Sequence, residues 1–170
     1  MPLVKNNAIV HDEYVKVGAE DEILQGGAML LPADRFLADP AGILARQGPV
    51  GVIWPNNREL DDLVPYLPKL AVVALTFPTF RDGRAYSQAR LLRERHAYKG
   101  ELRATGQVLR DQFVFMLRAG FDAFEVVKES DAEAFATVAK RYSVFYQPTA
   151  ETPITAFRRR LALHRMGATS

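Results

Sequence analysis

At 170 residues the chain has room for one domain with one well-buried core and none for a second catalytic domain, and 48% hydrophobic against 25% charged residues excludes wholesale disorder and a fibrous design. Lysine and arginine total 22 against 20 acids, a surplus too small to make a general case for nucleic acid, so any preference for anions has to be local. The absence of cysteine removes disulfides, thiolate nucleophiles and cysteine-ligated clusters together. His11, His96 and His164 lie too far apart to mark a helical metal site, so no metal centre is expected. Apolar runs such as Ala71 to Leu75 fall well short of the roughly 20 residues that cross a membrane, and a cytoplasmic protein is expected.

The first 47 residues carry the weakest pattern. Ala8 to Val10 and Tyr14 to Val17 flank His11-Asp12-Glu13 as in a hairpin, and Pro32 is placed to begin a helix. From residue 48 onward, short apolar runs alternate with amphipathic stretches, the rhythm of βα units feeding a parallel sheet, and four units are legible. Val50 to Trp54 is the first strand, closed by Pro55-Asn56-Asn57. A helix from about Arg58 to Leu67 follows, shortened or bent by Pro65. Ala71 to Phe77 is apolar almost throughout and suits mid-sheet.

After the turn-rich Pro78 to Gly83 comes a helix from about Arg84 to His96, with Ala85, Ala89 and Leu92 on one stripe and Asp82 as its cap. Glu101 to Thr105 alternates charged and apolar residues, as a strand near an edge does. The helix from about Val108 to Ala119 should end at a left-handed Gly120. Ala123 to Val127 makes the fourth strand, Asp131 can cap a last helix reaching Tyr142, and a basic helix carrying Arg158, Arg159, Arg160 and Arg165 forms the tail. A complete barrel takes eight βα units and about 250 residues. The expected fold is therefore α/β with a mostly parallel sheet, either open and three-layered or half a barrel. Residues 1–152 are expected to form the domain, and 153–170 a tail that can dock on a partner or mediate self-association.

Ligands of parallel sheets collect where strands end and helices begin, which singles out Phe77 to Ser87. Arg81, Asp82, Gly83, Arg84 and Ser87, with Arg90 one turn on, offer guanidinium groups for a sulfate, a phosphate or a partner's carboxylate. A second strand end adds Arg103, Asp111 and Gln112. The same residues also suit a solvated helix face with Asp82 and Asp111 serving helix termini. Trp54 and Phe77 could stack on a planar ligand or simply pack in the core. No glycine-rich phosphate loop and no G-x-S-x-G surround is present, so nicotinamide, nucleotide and hydrolase chemistry lack their usual devices, although a flavin needs no such motif.

The stretch FPTFRDGRAYSQARLLRERHAYKGELRATGQVLRDQ, residues 77–112, continued by Gly120-Phe121-Asp122-Ala123-Phe124, resembles a family of small bacterial proteins of unknown function. Its members are often described as oxidoreductases involved in sulfite reduction and are typically encoded beside a sulfite or nitrite reductase. Phe77, Pro78, Phe80, Asp82, Gly83, Arg84, Ser87, Arg90, Arg103, Gly106, Asp111 and Gln112 match the family's pattern. Gln107 and Ala85 depart from it, standing where an acid and a glycine are common. The resemblance implies an accessory protein of assimilatory sulfite reduction that binds an anion or the reductase through the arginine-rich loop. The alternative is a small oxidoreductase acting on a sulfur oxyanion with a recruited flavin or nicotinamide.

Overall fold

The computed structural model describes residues 1–134, apart from Asn7, Phe80 and Glu129, together with Thr137. In chain order its strands are β1 (Leu3–Lys5), β2 (Ala8–Val10), β3 (Val15–Lys16), β4 (Met29–Pro32), β5 (Val50–Trp54), β6 (Val72–Phe77), β7 (Glu101–Gly106) and β8 (Ala123–Glu125). Its α-helices are α1 (Ala33–Ala38), α2 (Pro40–Ala45), α3 (Arg84–Arg90) and α4 (Phe113–Ala119). The strands form one mostly parallel half-barrel in the order β2-β1-β8-β7-β6-β5-β4-β3. Strands β3 to β8 run parallel, and β1 lies antiparallel to both β8 and β2.

The two faces of the sheet differ in chemistry because side chains alternate along each strand. Val50, Val52 and Trp54 of β5, Val73, Leu75 and Phe77 of β6, and Leu102 and Ala104 of β7 face the helices and form the main core. The other face carries Leu30, Val72 and Ala74 in a small apolar cluster, then a row of charged residues from β7, β8 and β1. Register sets Arg103 between Ala74 and Ala123, whose small side chains leave space for its guanidinium.

Two strands at opposite ends of this sheet are adjacent in sequence, and that requires a curl. β2 and β3 stand seven interstrand steps apart, which at about 4.8 Å per step is roughly 34 Å in a flat sheet. Only residues 11–14 connect them, and such a link spans at most about 18 Å even when fully extended. The sheet therefore bends round its charged face. Lys16 of β3 consequently reaches Glu125 of β8, Nζ to Oε2 at 2.7 Å, across the hollow.

The hollow holds three cations facing three carboxylates. Arg103 is 1% exposed and donates to Asp12 Oδ2 at 2.7 Å, Glu101 Oε1 at 2.8 Å and Glu125 Oε1 at 3.1 Å, while Tyr14 lays its ring 5.5 Å from the guanidinium carbon. Lys5 closes the set on Glu101 at 2.6 Å, and the Thr105 hydroxyl donates to Glu125 at 2.7 Å. Burial alone would raise the Glu125 carboxyl, but the bonds from Lys16, Thr105 and Arg103 outweigh it and hold it below its ordinary range. Asp12 is likewise lowered: burial opposes, and the Arg103 fork with the Tyr14 N–H prevails.

Several expectations change. Ala8–Val10 forms its hairpin with Leu3–Lys5, and Val15–Lys16 lies at the far edge, because the parallel neighbour β4 captures it. Glu101–Gly106 is interior, flanked by β6 and β8, and its charged residues face the hollow and are neutralised there. In place of a helix over 58–67, a short turn leads to a 3-10 segment at Val64–Lys69, where Pro65 sits at the start and Pro68 denies the backbone donor an α-helix needs. The helix after β7 begins later than expected, with a 3-10 turn at Arg110–Gln112 before α4. Pro32 ends β4 and precedes α1, and β3 and β4 extend the parallel sheet beyond the four legible strands. Gly120 ends α4 at φ 101°, as expected. Residues 130–134 are helical with Asp131 inside the first turn, while the continuation to Tyr142 and the basic tail lie outside the described residues.

Replacing Arg103 leaves three carboxylates in the hollow with only Lys5 and Lys16 to offset them. Arg103→Met should destabilise the fold by about 3–5 kcal/mol at pH 7, measured by urea unfolding. Because Glu125 and Asp12 have lowered folded-state values, their stabilisation is complete above the ordinary values of 4.5 and 3.8 and is lost as pH falls through the lowered ones. The gap between wild type and variant should therefore narrow below about pH 4; an equal gap at pH 7 and pH 3 would contradict the cluster's role.

Candidate functional site

Beyond Trp54 at the end of β5 the chain turns at Pro55, and residues 56–61 form one wall of a cavity of about 400 Å³. The opposite wall is α3 and the π-helical turn that continues it over Leu91–Arg95. In that turn His96 N donates to Leu91 O at 3.1 Å, and the next residue, Ala97, holds a left-handed φ of 51°. A π turn and a positive φ at a non-glycine residue are both uncommon and tend to mark working sites. Arg93 fixes the segment from behind, donating to Tyr98 O at 2.6 Å, Gly120 O at 2.9 Å and Gly100 O at 3.0 Å, and pairing with Asp122.

The wall formed by residues 56–61 is held by side chains made for the purpose. Gln88, buried on α3, donates from Nε2 to Arg58 O at 2.9 Å and Pro55 O at 3.2 Å. The Arg58 guanidinium lies 5.6 Å from the centre of the Trp54 ring, and its Nη2 reaches Asp34 at 2.7 Å. Among the described residues, two covered polar atoms of this lining, Arg58 Nη1 and Gln88 Oε1, have no hydrogen-bond partner. A buried polar atom left unmatched costs about 1–3 kcal/mol, so such groups are rare in finished cores.

The structure divides the nine residues that the sequence singled out. Arg84 and Ser87 line the cavity. Arg84 is forked onto Asp82, Nε to Oδ1 at 3.0 Å and Nη2 to Oδ2 at 2.6 Å, and its backbone N–H also donates to Oδ1 at 3.2 Å. These bonds, with a smaller share from the Asn56 amide, hold the Asp82 carboxyl far below the usual carboxylate range. Gly83 precedes the helix with an ordinary φ of −81° and open space around it, and Arg81 is exposed on the loop.

Arg90 faces away, lining with Gln112, Tyr86, Phe115 and Arg118 a separate groove of about 490 Å³ between α3 and α4. Asp111 is exposed in the 3-10 turn and lines neither. Arg103 lies in the sheet's hollow, away from both, bound to Asp12, Glu101 and Glu125. Trp54 and Phe77 are core residues, Phe77 packing edge-on to Tyr86 at 5.1 Å.

Asn56, Arg58, Gln88, Arg95 and His96 join the cavity without having been anticipated. One signal was available: Gln88 interrupts the apolar stripe of Ala85, Ala89 and Leu92, and a buried amide there needs partners. Another was spacing, since Arg84, Ser87, Gln88, Leu91 and Arg95 recur at helical intervals. Among the described residues no group of His, Asp or Glu is arranged to hold a metal ion, and no helix is long and apolar enough to cross a membrane.

A family model described as "Bacterial protein of unknown function (DUF934)" matches residues 51–157, which takes in the cavity, α3, α4 and the central strands. No curated protein matches the chain.

Gln88→Met keeps the volume and removes both donors to the 55–58 turn. It should cost about 1–3 kcal/mol in thermal unfolding and speed amide exchange at residues 56–61 while leaving β7 and β8 protected. Unchanged exchange at 56–61 would show that Gln88 does not hold that wall.

Proposed function

Because the chain belongs to the bacterial DUF934 family, whose function is unknown, we propose that it is an accessory protein of assimilatory sulfite reduction that holds a sulfur oxyanion in the cavity between residues 56–61 and α3. The observation that carries the reading is the donor-rich lining. Arg84, Arg95, Ser87 and His96 surround the space, and Arg58 Nη1 lacks an acceptor among the described residues. Arg84 uses Nε and Nη2 on Asp82, which orients the guanidinium and leaves Nη1 for a ligand. Arg95 has no ion pair among the described residues.

A tetrahedral or pyramidal oxyanion presents several acceptors at once, which suits planar guanidinium forks and an amide N–H better than a single lysine would. On binding, Arg58 Nη1 gains an acceptor, so part of the binding free energy comes from relieving an unmatched donor. The cavity lies outside the carboxyl end of a parallel strand, where ligands of such sheets gather. The family resemblance in residues 77–112 supports the sulfite context.

The test is thermal unfolding in sulfite, sulfate, phosphate and chloride at matched ionic strength. A hundred-fold excess over Kd should stabilise the native state by about 2.7 kcal/mol, several degrees in Tm, with the divalent oxyanions and not with chloride. Ser87→Asp, which places a carboxylate in the cavity, should abolish the rise. In cells, deletion should slow growth on sulfate as sole sulfur source and leave growth on cysteine unchanged. Equal shifts in all four salts would remove the oxyanion, and equal growth on both sulfur sources would remove the sulfite context.

A further inference from the structure

The cavity is much larger than one oxyanion requires. It measures about 400 Å³, within the range of about 300–1,000 Å³ typical of small-molecule sites, whereas a single water occupies about 30 Å³ and a tetrahedral oxyanion only a few times that. Its long wall explains the size. Arg84, Ser87, Gln88, Leu91 and Arg95 follow helical spacing along α3 and its π turn, so one face lines the cavity from end to end. Arg84 and Arg95 are eleven residues apart, about 16 Å along the axis at 1.5 Å per residue, and both side chains lean the same way along the helix.

We propose that the cavity binds an elongated organic bis-anion, a small metabolite with a phosphate, sulfate or carboxylate group at each end, one end on Arg84 and the other on Arg95. This deepens the oxyanion reading above and rests on it: the oxyanion is one terminus of a larger ligand. The arrangement of charge supports it. The opposite wall carries Glu59 and Asp61, which repel an anionic midsection, while Leu60 and Leu91 offer apolar contact to an uncharged one. A ligand charged only at its ends is the species that these walls accept. Arg84 meets it as a guanidinium already oriented by Asp82, and Arg95 as one with no competing ion pair among the described residues. The second anionic end then binds at high effective concentration once the first is seated.

The experiment compares hexanediol bisphosphate, hexyl phosphate and inorganic sulfate by calorimetric titration of the full chain. The bisphosphate should bind at least ten-fold more tightly than hexyl phosphate. Arg84→Gln and Arg95→Gln should each reduce the bisphosphate to the affinity of hexyl phosphate. Arg90→Gln, on the other side of the helix, should leave it unchanged. Both cavity arginines are exposed, so the variants should fold, and far-ultraviolet circular dichroism verifies this. If sulfate and hexyl phosphate bind and the bisphosphate gains nothing, the two-ended ligand is wrong and the oxyanion reading stands. If none of the three binds, both readings fall.

Discussion

Arg103 stands at the middle of a curled sheet with its guanidinium divided among Asp12, Glu101 and Glu125, one carboxylate from the β2–β3 link, one from its own strand and one from β8. That sharing joins parts of the chain that hydrogen-bonded ladders cannot join. The ladder fixes each strand only to its neighbours, whereas the bond from Asp12 ties the crossing segment to the central strands and the Lys16 bridge ties the far edge to β8. A buried arginine is costly to desolvate and is tolerated only when its donors are matched; here the matching also sets the curvature. Ala74 and Ala123 beside it, and Gly51, where an added Cβ would lie 2.7 Å from a Leu30 carbon, show how little space that concave face leaves.

Curvature on one face has consequences on the other. The apolar face turns outward and takes α1, α3 and α4 against Trp54, Leu75, Phe77 and Phe124, so the strand ends and helix starts are presented together. The cavity forms where the chain leaves β5 and where α3 passes it, and Gln88 joins the two by reaching from helix to turn. Gly106 helps to end β7 cleanly: at φ 92° its added Cβ would meet Phe77 O at 2.4 Å, so the turn toward Val108 is open to glycine and closed to larger residues. The site thus inherits its geometry from the same sheet whose hidden face is charged.

Much of this was legible in the letters. The alternation of apolar runs with amphipathic stretches identified β5 to β8, and Gly120 marked the end of α4, because both signals are local. The strand-end rule led to α3 and to Arg84 and Ser87, which line the cavity. What escaped notice depends on distant partners. Glu101 and Arg103 alternate with apolar neighbours as an edge strand does, and only the arrival of Asp12, 91 residues away, and Glu125, 22 residues away, makes that row an interior one. β1 and β2 are three residues each and the other neighbour of β1, β8, lies more than a hundred residues on, so no window of sequence contains that pairing. Arg103 therefore read as a ligand group, because its carboxylate partners Asp12 and Glu125 lie far off in sequence.

The account turns on whether charges on remote strands hold the curl together. A double-mutant cycle on Lys16 and Glu125, using Lys16→Met, Glu125→Gln and the pair, measures that directly, because the two residues belong to strands five positions apart in the sheet. Contact across the hollow predicts a coupling of about 1–3 kcal/mol in urea unfolding at neutral pH, while effects that add within about 0.5 kcal/mol would contradict it.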